Sequence, residues 1–213
     1  MSKAATPDPD CSLCPRLAAY REALRREFPD YHNAPVDAFG DSNPGLVIVG
    51  LAPGRHGANA TGRPFTGDFA GILLYRCLHQ AGFSNRPDSV SVDDGLELRG
   101  VRITNAVKCL PPENKPTTAE ADTCLGFLKL EIDALPESTV LLALGTIAHR
   151  SVLRACAARL SDYRFAHAAE HRLPGGRLLV DSYHCSRYNT QTGRLTEKMF
   201  ADVLARARTL ALA

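Results

Sequence analysis

LVIVGLAPGRHGANATGRPFTGD, residues 46–68, decides how this chain is read. It opens on a β-branched run from Leu46 to Leu51 that includes a glycine, the pattern of a short buried strand. A loop carrying Gly54, Gly57, Gly62 and Gly67 follows, and then GILLYRCLHQAGF (71–83), apolar at helical spacing. The same succession recurs downstream. VRITNAVKC (101–109) reads as a strand before the helical TTAEADTCLGFLKLEIDAL (117–135), whose Thr117 and Glu120 fit a capping box. TVLLALG (139–145) feeds TIAHRSVLRACAARL (146–160), and RLLVDSYH (177–184) precedes a polar loop and the amphipathic TEKMFADVLARARTLAL (196–212). Four strand and helix units predict an α/β fold, a single-domain α/β/α sandwich on a central, mainly parallel four-stranded sheet covered on both faces. A further helix is expected over PRLAAYREALRREF (15–28), and SNRPDSVSVDDGLELRG (84–100) is expected to be a surface excursion. Residues 1–10 are expected to form a flexible N-terminal tail, leaving 11–213 as one domain.

With 213 residues, 45% of them hydrophobic, the chain can bury a substantial core. A formal net charge of +2 neither demands nor excludes a polyanionic partner, so placement of charge must decide. No run approaches the ~20 apolar residues of a membrane span, and MSKAATPDPD lacks the apolar centre of a signal peptide. The expectation is a cytoplasmic protein with no membrane association, and, with no heptad or apolar stripe to call for a partner, a monomer. In that reducing compartment the seven cysteines are free thiols or metal ligands rather than disulfides. Cys11 and Cys14 form a C-x2-C, while Cys109 and Cys124 bracket a proline-rich loop. Gathered together, the four could hold zinc or a four-iron cluster, and sequence does not choose between them. Cys77 and Cys156 sit in apolar helical patterns and read as core.

Open α/β sheets bind ligands beyond the carboxyl ends of their strands. The segments leaving those ends run over 52–68, 105–115, 145–149 and 184–194, which collects Asp68, Asn105, His184 and several arginines on one face. The glycine loop matches neither G-x-G-x-x-G nor G-x-x-x-x-G-K-[ST], so a standard nucleotide cradle is not expected. Its glycines let the backbone approach a ligand closely.

GLAPGRHGANATGRPFTGD (50–68), NAVKCLPPENKPT (105–117), SYHCSRYNTQTGRLT (182–196) and the four cysteines together resemble the family five (type B) uracil-DNA glycosylases of bacteria and archaea. The resemblance runs over essentially the whole chain from Cys11. It implies the uracil-DNA glycosylase superfamily fold and a 4Fe-4S cluster on Cys11, Cys14, Cys109 and Cys124, zinc being the lesser alternative. It also implies removal of uracil, and of other deaminated bases such as hypoxanthine, from DNA, leaving an abasic site. By similarity Asp68 holds the attacking water, a duty that Ala52 cannot take. His184 donates to uracil O2, Asn105 reads O4 and N3–H, and Phe65 stacks on the extruded base. Gly50, Ala52, Pro53, Gly54 and His56 are expected to enclose that base. Arg55, Arg63, Ser186, Arg187, Asn189 and Arg194 are expected to contact DNA, and the loop after His184 to wedge the helix; Lys108 and Lys115 add to the same basic cluster. Each residue also has an ordinary role open to it: a helix cap for Asp68, a turn for Asn105, a buried staple for Phe65 and a solvated face for the cations. Two departures stand out: Cys185 where the family reads proline, and Ala60 where an Arg is expected. A catalytically weak, metal-bearing DNA-binding module and a hydrolase of free nucleosides are the two alternatives.

Overall fold

The computed structural model describes residues 7–212. Its sheet has six strands in the order β1-β3-β2-β4-β6-β5. The four predicted strands are present as β2 (Leu46–Gly50), β3 (Val101–Asn105), β4 (Val140–Leu144) and β6 (Leu178–Ser182), all mutually parallel. Two short antiparallel edge strands, β1 (Phe39–Gly40) and β5 (Glu170–Arg172), widen the expected four-stranded sheet to six. Neither carries an apolar run, because an edge strand is recruited by its neighbour's free hydrogen-bonding groups rather than by burial.

Both faces of the sheet are covered, and alternation along each strand divides the core. Leu46 and Ile48 pack with α3 (Phe69–Gln80) and α7 (Glu197–Ala211), while Val47 and Val49 pack with α4 (Thr118–Asp133) and α5 (Thr146–Ala155). A third, smaller cluster sets Leu17 of α1 (Pro15–Glu27) against Val107 and Cys124. Truncating a fully buried Leu such as Leu142 to Ala costs ~2 to 5 kcal/mol in such cores. Helix starts follow local chemistry: Pro15 opens α1, Asp68 caps α3, Thr117 and Glu120 close a reciprocal capping box on α4, and Thr196 caps α7.

Of the expected tail, residues 1–6 lie outside the described residues. Residues 9 and 10 are tied to α1 by Arg25, which donates to the Pro9 carbonyl and pairs with Asp10 at 2.7 Å. The 84–100 excursion closes on itself through a bridge between Ser84 and Leu98.

Candidate active site

The expected face of the sheet holds a cavity of about 390 Å³, within the ~300 to 1,000 Å³ of small-molecule sites. Asp68, Asn105, Phe65 and His184 all line it, arriving from three different strand ends.

Asp68 fills two roles with two oxygens. Oδ1 accepts the Gly71 N–H at 2.8 Å and so caps α3. Oδ2 lies against Gly54 and Gly57, where a Cβ on Gly57 would stand only 2.7 Å from it. Glycine at 57 is therefore what lets the carboxylate sit in the cavity wall. Burial pushes the Asp68 carboxyl pKa up, opposed by the backbone N–H groups of Gly71 and Ala70.

Asn105 ends β3 and is 2% exposed, with its Oδ1 buried and unpartnered. A buried amide oxygen without a donor is costly, and this one borders a cavity that a ligand N–H would enter. Gly50 makes room for it: a Cβ there would lie 2.4 Å from Asn105 Oδ1 and 2.6 Å from the Phe65 ring. Phe65 itself holds a left-handed φ of 54°, strain of the kind that persists only where the surroundings enforce it. Its carbonyl would stand 1.8 Å from any Cβ on Gly71, and the Tyr75 hydroxyl donates to the neighbouring Pro64 carbonyl at 2.7 Å.

His184 faces Phe65 with ring centroids 6.0 Å apart. Desolvation holds its imidazole pKa down to about 4, so at neutral pH the ring is uncharged and offers one N–H. The loop after it is steadied without the family's proline. Asn189 Nδ2 donates to the His184 carbonyl at 2.8 Å, Ser186 caps the short α6 (Arg187–Gln191), and Cys185 is buried.

Several expected site residues lie elsewhere. Arg63 is a correction: it is 4% exposed, paired with Asp94 at 2.5 Å and donating to Ser89 Oγ at 2.8 Å, so it anchors the 84–100 excursion instead of meeting phosphate. Lys108 is likewise buried, donating to both oxygens of Glu131 at 2.8 Å. His56 is directed away from the base pocket, with Nδ1 on the Tyr31 hydroxyl at 3.0 Å and its ring edge-on to Phe28. Pro53 is buried beneath the loop and does not line the cavity, whereas Ala52 and Gly54 do. The amide of Asn189 and the hydroxyl of Ser186 are engaged within their own loop, although Ser186 also borders the cavity. Arg187 lies over Phe69, Arg194 over Tyr183 and Arg55 over Tyr20; all three arginines are exposed, and Arg187 also borders the cavity. Phe69, Ala58, Ala70 and Asn114 line the cavity and were not anticipated. For Asn114 a signal existed: Pro111, Pro112 and an Asn form a turn in which Glu113 and Asn114 both take left-handed φ, 54° and 55°.

Cys11, Cys14, Cys109 and Cys124 converge at one corner. The Cys109 thiol is pushed up to about 12 by burial and by the neighbouring sulfurs of Cys124, Cys11 and Cys14. Beside them Arg21 is buried, donating to the Cys11 carbonyl at 3.0 Å, while its Nε makes no hydrogen bond and lies 3.9 Å from the Glu22 carboxylate. Four crowded thiols with a buried guanidinium beside them suit a thiolate-bound group of net negative charge. No described helix is long and apolar enough to cross a membrane.

A sheet parallel through its four inner strands, with a carboxylate, an amide and a neutral imidazole around one cavity at their carboxyl ends, has the layout of a hydrolase pocket in an α/β fold. Residues 38–208 match the Uracil DNA glycosylase superfamily, and the chain belongs to it. Within that family it is similar to the Type-5 uracil-DNA glycosylase of Thermus thermophilus, 50% identical over 206 residues and 94% of each chain. It is 44% identical to the Type-5 enzyme of Pyrobaculum aerophilum over 202 residues, 93% of this chain and 88% of that one. The Type-5 enzyme of Mycobacterium leprae is also 44% identical, over 209 residues, 94% of this chain and 91% of that one.

Proposed function

We infer that this chain excises uracil from DNA by hydrolysing its N-glycosidic bond, and that the same pocket accepts other deaminated bases such as hypoxanthine. One observation carries the reading: Asp68 and His184 line a single cavity together with an unsatisfied amide at Asn105.

Cleavage builds positive charge on the sugar and negative charge on the departing base. Asp68 Oδ2 holds the water on the sugar side and faces the cationic sugar as it forms. Neutral His184 donates its N–H to the base O2 as charge accumulates there, a contribution of ~3 to 4 kcal/mol for a well-placed donor. Asn105 Oδ1 accepts the N3–H, and its amide nitrogen serves O4. Asn114 adds a second amide to the cavity lining. Phe65 offers a stacking face, which repays roughly 1 to 3 kcal/mol of the cost of extruding a base.

Arg187, Arg194 and Arg55 are the exposed cations for phosphate, and Tyr188, 71% exposed on α6, is the side chain to enter the space the base leaves. Cys11, Cys14, Cys109 and Cys124 would hold a 4Fe-4S cluster, which supplies a covalent cross-link between α1, the β3 loop and α4. Hydrolysis moves no electrons, so no redox role is assigned to it. The cavity is lined by residues of a single chain, so the proposed reaction needs no second copy.

The test is a gel assay on duplexes containing uracil, hypoxanthine, xanthine or no lesion, with alkali to reveal abasic sites, beside free deoxyuridine. Cleavage at uracil that Asp68→Asn abolishes supports the proposal. Binding without cleavage supports a DNA-binding module instead, and cleavage of the free nucleoside alone supports a nucleoside hydrolase. A brown protein absorbing broadly around the boundary of the near-ultraviolet and the visible, the iron-sulfur signature, tests the cluster.

A further inference from the structure

Away from the catalytic cavity, three ionisable side chains meet on the α5 face of the sheet. Asp181 on β6 is fully buried, with Oδ1 2.8 Å from His149 Nδ1 and Oδ2 3.0 Å from His171 Nε2. His149 belongs to α5 and His171 to β5, so helix, central strand and edge strand each contribute one group. The register explains the meeting: His171 pairs with Leu179, two residues before Asp181 and therefore on the same face.

Proton accounting makes this more than a packed trio. His149 Nε2 stands 3.0 Å from the Tyr163 carbonyl, which can only accept, so that nitrogen carries its hydrogen and donates. A neutral imidazole has only one N–H, which leaves Nδ1 as a bare lone pair facing a carboxylate oxygen at 2.8 Å. Two acceptors at that distance need a positive centre, either a second proton or a metal ion. A ring N–H donated to a backbone carbonyl is the usual support behind a metal-ligating histidine, because it fixes the tautomer and turns the other nitrogen inward. The ring centroids of His149 and His171 are 5.5 Å apart at 61°. Two imidazoles on one tetrahedral zinc have centroids at about 5 Å. The ligand atoms all fall within 4.8 Å of one another, and Phe165 and Tyr163 set aromatic edges against the two imidazoles.

We propose that His149, His171 and Asp181 form a binding site for a divalent transition metal, zinc by its donor set. Observed separations of 2.8 and 3.0 Å must widen by a few tenths of an ångström to reach the ~3.3 Å edge of a tetrahedral zinc site. None of the three residues lines the catalytic cavity, so the ion stands apart from that chemistry, and with three protein donors a water would complete its tetrahedron. It would clamp β5 and α5 to the strand that leads, three residues later, into His184.

The test uses the full chain as purified, washed with a mild chelator and titrated with zinc chloride against a chromophoric competitor. One equivalent of zinc is expected, with a nitrogen and oxygen shell at about 2.0 Å and no sulfur at about 2.3 Å in zinc-edge X-ray absorption. His171→Gln, at the sheet edge where it is tolerated best, should weaken zinc at least ~10-fold, and His149→Gln should do the same if it folds. Failure to bind zinc, sulfur coordination, or unchanged affinity in His171→Gln would overturn the proposal.

Discussion

Replacing Asp68 separates a structural role from a chemical one, because its two oxygens do different work. Asp68→Asn keeps an Oδ1 to accept the Gly71 N–H, and Asn equals Asp as a helix N-cap. Its stability should therefore stay within ~0.5 kcal/mol of wild type. The sign of the pH effect agrees. A carboxyl whose pKa is raised by folding binds its proton more tightly in the folded state. It favours the fold at acid pH, and that contribution is withdrawn as pH rises through the folded value. At neutral pH the Asn variant loses nothing by lacking the charge. Asp68→Ala also removes the cap, at ~1 kcal/mol, which lowers Tm by ~2 to 4 °C in a domain of this size. Activity should fall in both, by ~10² to 10⁴ for loss of a positioned base, equivalent to ~3 to 5 kcal/mol of barrier. Single-turnover cleavage of a uracil duplex with enzyme in excess, beside thermal melts, reads the two effects apart. If Asp68→Asn cleaves within threefold of wild type, Asp68 is a cap and nothing more.

Three further outcomes follow from the same geometry. His184→Gln should lower single-turnover cleavage by ~10² to 10³; and because the His184 pKa is depressed to about 4, wild type should lose stability as pH falls from ~6.5 towards ~4 by more than the variant does in urea titrations. Asp94→Ala leaves the Arg63 guanidinium buried without its carboxylate and should destabilise by ~3 to 5 kcal/mol in urea titrations; unchanged stability would refute the anchoring role given to Arg63. Gly50→Ala forces a methyl against Asn105 Oδ1 and the Phe65 ring, so uracil cleavage should fall while a stability loss of ~1 to 3 kcal/mol appears in the melt.

The central strands were legible because continuous apolar runs such as VLLAL must be buried on both faces, and the helices because their caps and spacing agree. The edge strands were not. EHR carries no periodic signal, and its place depends on a neighbour that folds elsewhere in the chain. Asp68, Asn105 and His184 could be grouped in advance from strand ends alone. Arg63 and Lys108 could not be placed, because a cation in a loop counts as surface until its partner is known, and Asp94 and Glu131 lie 31 and 23 residues away. His56 was misplaced for a related reason: glycines permit a close approach without saying which side chains turn inward.

The Arg63 to Asp94 pair makes the glycine loop and the distant excursion a single mechanical part. Anyone grafting this pocket onto a sister scaffold must therefore transplant both segments together, since either one alone arrives with a stranded charge and a collapsing wall. A library that shuffles them independently will be dominated by chains that never reach the assay.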